Sequence, residues 1–227
     1  MKRILEPEIM NDETQAIAYA EADFSSSNQI FVDKLIEDYS DRLNAVLDIG
    51  CGPADVPIRL ARAKPAVRIT AVDASEPMIR VARKAVKDAG LQEHITVMKG
   101  RVPGLSLESQ SFDAIVSKDL LHHLPDPMVF WAEVKRLAKP ETVVYVMDLL
   151  RPQTKEQAMD IVESVSGGEA AILKRDFYNS LLAAFTVDEI KDQLRKAALA
   201  LEAARISERH LLVKGLMRDT YDKNAVP

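Results

Sequence analysis

Short apolar runs alternate with amphipathic stretches from residue 44 onward. Runs of four to six apolar residues bounded by turn residues are typical of buried strands, and apolar positions three and four apart are typical of helices. The pattern predicts strands at 44–49, 68–73, 95–98, 112–117 and 142–147, with helices at 56–63, 76–89 and 127–138. Strands that alternate with helices at this spacing favour right-handed crossovers and a mostly parallel sheet covered on both faces.

The two ends of the chain follow other patterns. Residues 14–43 are predicted to be helical, and their inner face consists of Ile30, Phe31, Leu35, Ile36 and Tyr39. Near the carboxyl end, a capping-box pattern opens a helix to about residue 198, and 205–207 with 210–214 predict a hairpin that ends the sheet in an antiparallel strand. We expect a helical cap over 1–43 and a domain over 44–227 with a helical, substrate-covering insertion at about 149–185.

Composition excludes several classes of protein. The 227 residues are 47% hydrophobic and carry a net charge of −5, which indicates a globular chain with no general attraction for nucleic acid or anionic membranes. No stretch approaches the length of a spanning helix or a signal peptide, and the single cysteine, Cys51, fits a reducing compartment. We therefore expect a cytoplasmic protein with a small-molecule partner, no nucleic acid and no membrane, either monomeric or a homodimer.

The turn after the first predicted strand carries the first candidate chemistry. In an open parallel sheet, ligands bind beyond the carboxyl ends of the strands. Gly50 and Gly52 allow a ligand to approach the main chain there, but a dinucleotide fingerprint would require a third glycine where this chain has Asp55. Asp48 adds negative charge, so the turn suits a cationic or amine-bearing ligand better than a pyrophosphate.

The second predicted strand ends in another carboxylate. Asp73 lies 23 residues after Gly50, where an acidic residue at a strand end is placed to accept hydrogen bonds from ribose hydroxyls. Each aspartate alone also fits a solvated strand end or a helix cap. The two together, in this order and spacing, favour a ligand site that includes a nucleoside.

Four segments together resemble one family. VLDIGCGPADVPIRLA (46–61), ITAVDASEPMI (69–79), FDAIVSKDLLHHLPDP (112–127) and the strand after RLAKP (136–140) are similar to the class I S-adenosylmethionine-dependent methyltransferases. The resemblance covers about residues 40–215. It implies a three-layer αβα Rossmann-like fold, a seven-stranded, mostly parallel sheet with an antiparallel last strand, and S-adenosylmethionine as cofactor.

The resemblance also implies roles for individual residues. Asp48, Gly50 and Gly52 match the turn that holds the methionine part of the cofactor, and Asp73 matches the ribose-binding acid. Further cofactor contacts are implied for Ala74, Met78, Gly100, Arg101, Val102, Ser117 and Lys118. Arg101 is a donor where the family often has an aspartate that accepts from the adenine amino group, so that contact is expected only from the main chain.

Methyl transfer from a sulfonium needs alignment and water exclusion more than a catalytic side chain. Asp119 and His122 are the candidate catalytic pair, because a histidine beyond the fourth strand is placed to remove a substrate proton. Packing or capping is the competing interpretation of the Leu-His-His-Leu segment. Asp119 with Asp148 also resembles a magnesium site, but Leu149 follows Asp148, so no metal is expected.

Segments over the top of the sheet are expected to contact the cofactor or the acceptor. The candidates are Tyr19, Asp23 and Phe24 in the amino-terminal region and Arg151, Arg175 and Tyr178 in the insertion. The sequence predicts a methyltransferase acting on a small molecule by in-line transfer. Two alternatives stay open: a cofactor-binding regulatory or scaffolding protein without activity, and an enzyme that uses the same cofactor for other chemistry. A nicotinamide oxidoreductase is disfavoured by Asp55.

Overall fold

The structure is a computed structural model that describes residues 1–6, 19, 24–166 and 168–218. Its strands are β1 (Ala45–Ile49), β2 (Arg68–Asp73), β3 (Ile95–Lys99), β4 (Phe112–Lys118), β5 (Ala138–Leu149), β6 (Glu202–Arg205) and β7 (His210–Leu216). Its helices are α1 (Ser25–Tyr39), α2 (Asp55–Ala63), α3 (Glu76–Asp88), α4 (Met128–Leu137), α5 (Lys155–Ser166), α6 (Ala171–Ala183) and α7 (Val187–Lys196). The predicted helix at 14–43 lies partly outside the described residues.

The strands form one seven-stranded sheet in the order β3-β2-β1-β4-β5-β7-β6. The strands from β3 to β5 pair in parallel, and β7 runs antiparallel to both β5 and β6. The order reverses direction at β1, so the carboxyl ends of β1 and β4 border the crevice where ligands bind in such sheets. The predicted fold class is confirmed.

Alternation along β5 divides the core into two layers. Val143, Tyr145 and Met147 pack in the cluster that contains residues of α1, α2 and α3. Val144 and Val146 pack in the cluster that contains residues of α4 and α7. Successive side chains of a strand point to opposite faces, so a strand that is apolar throughout requires helices on both sides.

Local signals fixed several boundaries. The Ser75 hydroxyl accepts from the Met78 N–H and caps α3, and Gly90, with φ of 70°, follows the end of that helix. The capping box of Thr186 and Glu189 opens α7 as predicted. The residues that cap these helices contact backbone groups within one helical turn.

Three predictions were wrong. β6 lies at 202–205 rather than 205–207, and β5 begins at Ala138 rather than at 142. Glu141 has φ of 65°, which kinks β5 near a register shift against β4 instead of ending it. Ile30, expected on the inner face of α1, is 48% exposed, whereas Val32 takes the buried place beside Phe31.

A third apolar cluster covers one end of the sheet. It joins α5 and α6 to Leu149 and Ala184, within the predicted insertion. The first residues of the chain lie along it, since the Ile4 N–H donates to the Leu182 carbonyl at 3.0 Å. Within the described ranges, no helix is both long enough and apolar enough to cross a membrane.

Candidate functional site

Two cavities lie beyond the carboxyl ends of the strands. The first, of about 300 Å³, borders the turn between β1 and α2 and is called the turn cavity. The second, of about 530 Å³, lies among α1, α5, α6 and the β6–β7 hairpin and is called the cap cavity. Four residues line both: Tyr19, Phe24, Lys118 and Asp119. The cavities therefore meet at the end of β4.

The turn cavity is built on main-chain geometry. The N–H groups of Gly50 and Cys51 both donate to the Val72 carbonyl, at 2.8 and 3.0 Å, which ties the turn to the end of β2. Gly50 has φ of 83°, and a Cβ there would lie 2.9 Å from the Cβ of Leu120. Only glycine fits this position, because any side chain would be strained at this left-handed φ and would also clash with Leu120.

Asp73 lies at the end of β2, where the sequence predicts a ribose-binding acid. One carboxylate oxygen accepts from the Gly52 N–H at 2.9 Å, and the other accepts from the Ser75 N–H at 2.8 Å. A carboxylate has about four lone-pair positions, so both oxygens keep a position for ligand hydroxyls. Burial raises the pKa of Asp73, and the two main-chain donors oppose that effect.

Asp48 is a buried carboxylate in the wall of the turn cavity. Its side chain is 3% exposed, and burial followed by the charge of Asp73 raises its pKa to about 7. Removing a carboxylate from water disfavours its charged form, and a cationic ligand would restore that form. The predicted preference of this turn for a positively charged ligand has a physical basis in this residue.

The remaining predicted cofactor residues have mixed positions. Lys118 lines both cavities, whereas the following line neither: Ala74, Met78, Gly100, Arg101, Val102 and Ser117. A Cβ at Gly100 would lie 2.7 Å from Leu105, so this glycine is required for packing. The Arg101 side chain is exposed, and the Ser117 hydroxyl donates to the Ile49 carbonyl at 2.7 Å. The roles of these residues toward the adenine end stay predictions.

Asp119 lies where the two cavities meet and has an unusual backbone. Its φ is 56°, and its N–H donates to the Met147 carbonyl at 2.9 Å. One carboxylate oxygen contacts the Lys118 ammonium; the other, Oδ1, is buried without a hydrogen-bond partner in the described part of the chain. Burial opposes ionisation, but Lys118 and the neighbouring histidines together outweigh it and hold the pKa of Asp119 below its usual value.

His122 was predicted to act with Asp119, but the structure pairs it with Asp148. The His122 Nδ1 lies 2.7 Å from Asp148 Oδ1, and Asp148 Oδ2 accepts from the Leu121 N–H at 2.6 Å. Burial lowers the pKa of His122, but the Asp148 carboxylate outweighs this effect and the pKa is raised. Asp148 lies at the end of β5, where the strand-end rule expects functional residues. From the sequence alone, it is only a possible magnesium ligand.

Residues of the amino-terminal segment, which sequence reasoning missed, complete this cluster. The Glu6 carboxylate contacts both the His123 Nδ1 and the Ser180 hydroxyl. Arg3 donates to the carbonyls of His122 at 2.7 Å and Leu124 at 2.9 Å. No local signal distinguishes Glu6 from other glutamates of the chain, because its partners are distant in sequence.

The predicted acceptor contacts divide into two groups. Tyr19 and Phe24 line both cavities, and their rings lie 4.7 Å apart, whereas Asp23 lies outside the described residues. Neither cavity is lined by Arg151, Arg175 or Tyr178. Arg151 instead donates to the Ala184 carbonyl at 3.2 Å and pairs with Glu189, so it joins the insertion to α7.

Comparison with known proteins identifies the family. Residues 46–141 match a family model described as a methyltransferase domain. A demethylmenaquinone methyltransferase of Anoxybacillus flavithermus is 34% identical over 107 residues, which are 47% of this chain and 45% of that protein. A 27-O-demethylrifamycin SV methyltransferase of Amycolatopsis mediterranei is 29% identical over 160 residues, or 70% of this chain and 55% of that protein. The chain thus spans about half the length of each relative.

The fold comparison agrees with the sequence comparison. A solved structure from Methanococcus maripaludis, described as a putative S-adenosyl-L-methionine-dependent methyltransferase, has a TM-score of 0.74 and 20% identity and covers 95% of this chain and 98% of that one. Residues 46–141 of this chain therefore form a methyltransferase domain, and the whole chain has the fold of that solved structure. The comparisons agree with the predicted methyltransferase family and with S-adenosylmethionine as its cofactor.

Proposed function

We propose that the protein transfers the methyl group of S-adenosylmethionine, by in-line displacement, to a small and largely apolar acceptor in the cap cavity. The observation that carries the proposal is the junction of the two cavities at Lys118, Asp119, Tyr19 and Phe24. A ligand in the turn cavity and a ligand in the cap cavity would meet there. In-line transfer requires this arrangement, because the acceptor must approach the methyl carbon opposite the departing sulfur.

The cofactor supplies an activated methyl group on a sulfonium. The chain would hold its ribose with Asp73 and its positive charge with Asp48. Gly50 and Gly52 would admit the methionine part to the main chain. These roles fit the observed donors and acceptors: Asp73 is fixed by two N–H groups, and Asp48 is a buried carboxylate beside the same turn.

The composition of the cap cavity supports an apolar acceptor. Its wall includes the apolar side chains Ile30, Met147, Leu149, Val165, Leu173, Phe177 and Ile206. A volume of about 530 Å³ lies in the range of pockets that hold drug-sized molecules. Lys34 and Arg209 supply cations, and Glu169 and Asp176 supply carboxylates at the same wall, so the acceptor would carry polar groups at its ends.

Two groups are available to handle an acceptor proton. The buried Oδ1 of Asp119 lacks a partner among the described residues and lies where the cavities meet, so it would accept a hydrogen bond from the acceptor. His122 lines the cap cavity and is oriented by Asp148, which would stabilise its protonated form. We assign Asp119 the contact with the acceptor and, in the metal-free protein, His122 the storage of the proton.

The proposal includes a cytoplasmic enzyme without nucleic-acid partners. It is supported by the net charge of −5, which offers no general attraction to phosphate backbones, and by a buried, unpaired Cys51. Size-exclusion chromatography with light scattering would decide between a monomer and the homodimer that the sequence leaves open.

The acceptor half of the proposal is tested by blocking the cap cavity. The purified protein is incubated with methyl-labelled S-adenosylmethionine and a panel of phenols, quinols and apolar alcohols, and labelled product is counted. Leu173→Trp would fill the cap cavity and abolish transfer. The matched control is Met159→Trp, because Met159 is 50% exposed and lies outside the cavity wall. Equal transfer by wild type and Leu173→Trp would contradict the proposed location of the acceptor.

A further inference from the structure

We propose that Glu6, His122 and His123 form a binding site for a divalent transition-metal ion such as Zn²⁺ at the wall of the cap cavity. The three side chains each offer a ligand atom, and these atoms all lie within 4.8 Å of one another. Two imidazoles and one carboxylate are donors of the type that binds zinc and iron. This set differs from the Asp119–Asp148 pair, on which the expectation of no metal rested.

The geometry allows the three donors to converge. Ligands at about 2.1 Å from a tetrahedral ion lie about 3.4 Å apart, so the widest separation must shorten by about 1.4 Å. The Glu6 carboxylate already contacts His123 Nδ1, and the imidazole rings of His122 and His123 are 4.1 Å apart. An ion between these atoms would replace the direct contact between the carboxylate and the imidazole.

Asp148 orients His122 as a metal ligand requires. Metal-binding histidines almost always donate their other ring N–H to a carboxylate or carbonyl, which fixes the tautomer. The 2.7 Å contact between His122 Nδ1 and Asp148 Oδ1 would do this, with Nε2 as the nitrogen that binds the ion. The Asp148 carboxylate is itself held by the Leu121 N–H, so the second ligand shell is already formed.

The main chain around the ligands is also fixed. The Arg3 guanidinium donates to the carbonyls of His122 and Leu124, which lie on either side of His123 in the sequence. Glu6 is held by the Ser180 hydroxyl. These contacts hold Glu6 against His123, and His122 and His123 line the cap cavity.

Charge and access favour a cation at this site. Glu6 and Asp148 supply two buried carboxylates, with Asp119 as a third nearby charge. Arg3 and Lys118 oppose them, and Lys118 is already paired with Asp119. His122 and His123 both line the cap cavity, so an ion held by three protein ligands would have an open position toward an acceptor.

Metal binding is tested without any assay of activity. Untagged protein is stripped with a chelator and titrated with Co²⁺, a spectroscopic substitute for Zn²⁺, while its visible absorption is recorded; Zn²⁺ is then added as a competitor. We expect one Co²⁺ per chain, displaced by Zn²⁺. Glu6→Gln and His123→Gln should each raise the Co²⁺ Kd at least about tenfold, and Asp148→Asn about 10- to 100-fold.

His94→Gln is the matched control, because His94 lies at the start of β3 and lines neither cavity. Its Co²⁺ binding should equal that of the wild type. Binding of S-adenosylhomocysteine, which uses the turn cavity, reports that each variant is folded. Absence of saturable Co²⁺ binding by the wild type would overturn the site, as would binding that Glu6→Gln and His123→Gln leave unchanged.

Discussion

The turn cavity and the cap cavity share four residues but are built in different ways. The turn cavity is lined by main-chain groups and the carboxylate of Asp48 at the end of β1. Asp73, at the end of the adjacent strand β2, lies behind its wall and accepts from the Gly52 N–H. The cap cavity combines α1, α5, α6 and the β6–β7 hairpin, and residues of the first six are attached to its wall. Residues close together in sequence form the turn cavity, whereas contacts between distant segments form the cap cavity. We therefore expect one set of mutations to impair cofactor binding and a different set to impair acceptor binding.

The largest expected effect comes from Gly50→Ala. The added Cβ would be strained at φ of 83° and would lie 2.9 Å from the Leu120 Cβ, so the turn must move. We expect binding of S-adenosylhomocysteine to weaken at least about 100-fold, because the ligand contacts the main chain there. Titration calorimetry measures the change, and thermal melting checks folding.

Gly52→Ala is the matched comparison, since no atom lies within 4 Å of the Cβ position there and φ is 52°. Only backbone strain remains, which costs about 1–2 kcal/mol, or about 5- to 30-fold in binding. Equal losses at both glycines would show that close packing against Leu120 does not hold the turn.

Arg3→Ala should affect the other half of the molecule. Arg3 donates to the carbonyls of His122, Leu124 and Ala183 and lies 3.9 Å above the Phe185 ring. Hydrogen bonds from charged groups contribute about 1.5–3 kcal/mol, so the free energy of unfolding should fall by about 2 kcal/mol in urea titrations. Binding of S-adenosylhomocysteine should stay unchanged.

Lys2→Ala is the control for Arg3→Ala, because Lys2 is exposed and adjacent. A loss of S-adenosylhomocysteine binding in Arg3→Ala, with Lys2→Ala normal, would show that the amino-terminal segment also supports the turn cavity. The two cavities would then not be independent.

A smaller effect is expected from pH. Asp48 has a pKa of about 7 in the folded protein, so its ionised fraction rises from about a tenth at pH 6 to about three quarters at pH 7.5. Only the carboxylate attracts the cationic cofactor. Affinity for S-adenosylmethionine should therefore increase up to about eightfold over this range, as measured by calorimetry.

Stability should change in the opposite direction. Because folding raises the pKa of Asp48, the folded state binds more protons than the unfolded state between about pH 4 and pH 7, and stability falls as pH rises through that window. Asp48→Asn should remove the contribution of Asp48 to the pH dependence of cofactor affinity and to that of stability. A wild-type cofactor affinity that does not vary with pH would contradict the assigned environment of Asp48.

Prediction from sequence succeeded where the determining interactions are local. β2 was placed at its observed bounds, because an alternating run ends at Asp73 and is followed at once by a capped helix. β6 was misplaced, since its four residues Glu-Ala-Ala-Arg include no β-branched or aromatic side chain. Its strand conformation comes from pairing with β7, a tertiary interaction.

The difference between local and tertiary interactions also explains which site residues could be predicted from the sequence. Asp48, Gly50 and Asp73 follow from the strand-end rule and the glycine spacing, and they lie at the ends of β1 and β2, while their roles toward the cofactor stay predictions. The pairing of His122 with Asp148 joins two residues 26 positions apart, one in the turn after β4 and the other at the end of β5. Glu6 reaches His123 across the fold. Such contacts depend on tertiary folding, for which a single sequence without homologues gives no pattern.

The most direct test of the account is calorimetric titration of S-adenosylhomocysteine into the wild type, Asp73→Asn and Leu173→Trp. Asp73→Asn removes the charge of the ribose-binding carboxylate and keeps its volume, whereas Leu173→Trp alters only the wall of the cap cavity. We expect wild-type binding, at least tenfold weaker binding by Asp73→Asn and unchanged binding by Leu173→Trp. Failure of the wild type to bind, or equal affinity in Asp73→Asn, would contradict the assignment of the turn cavity to the cofactor.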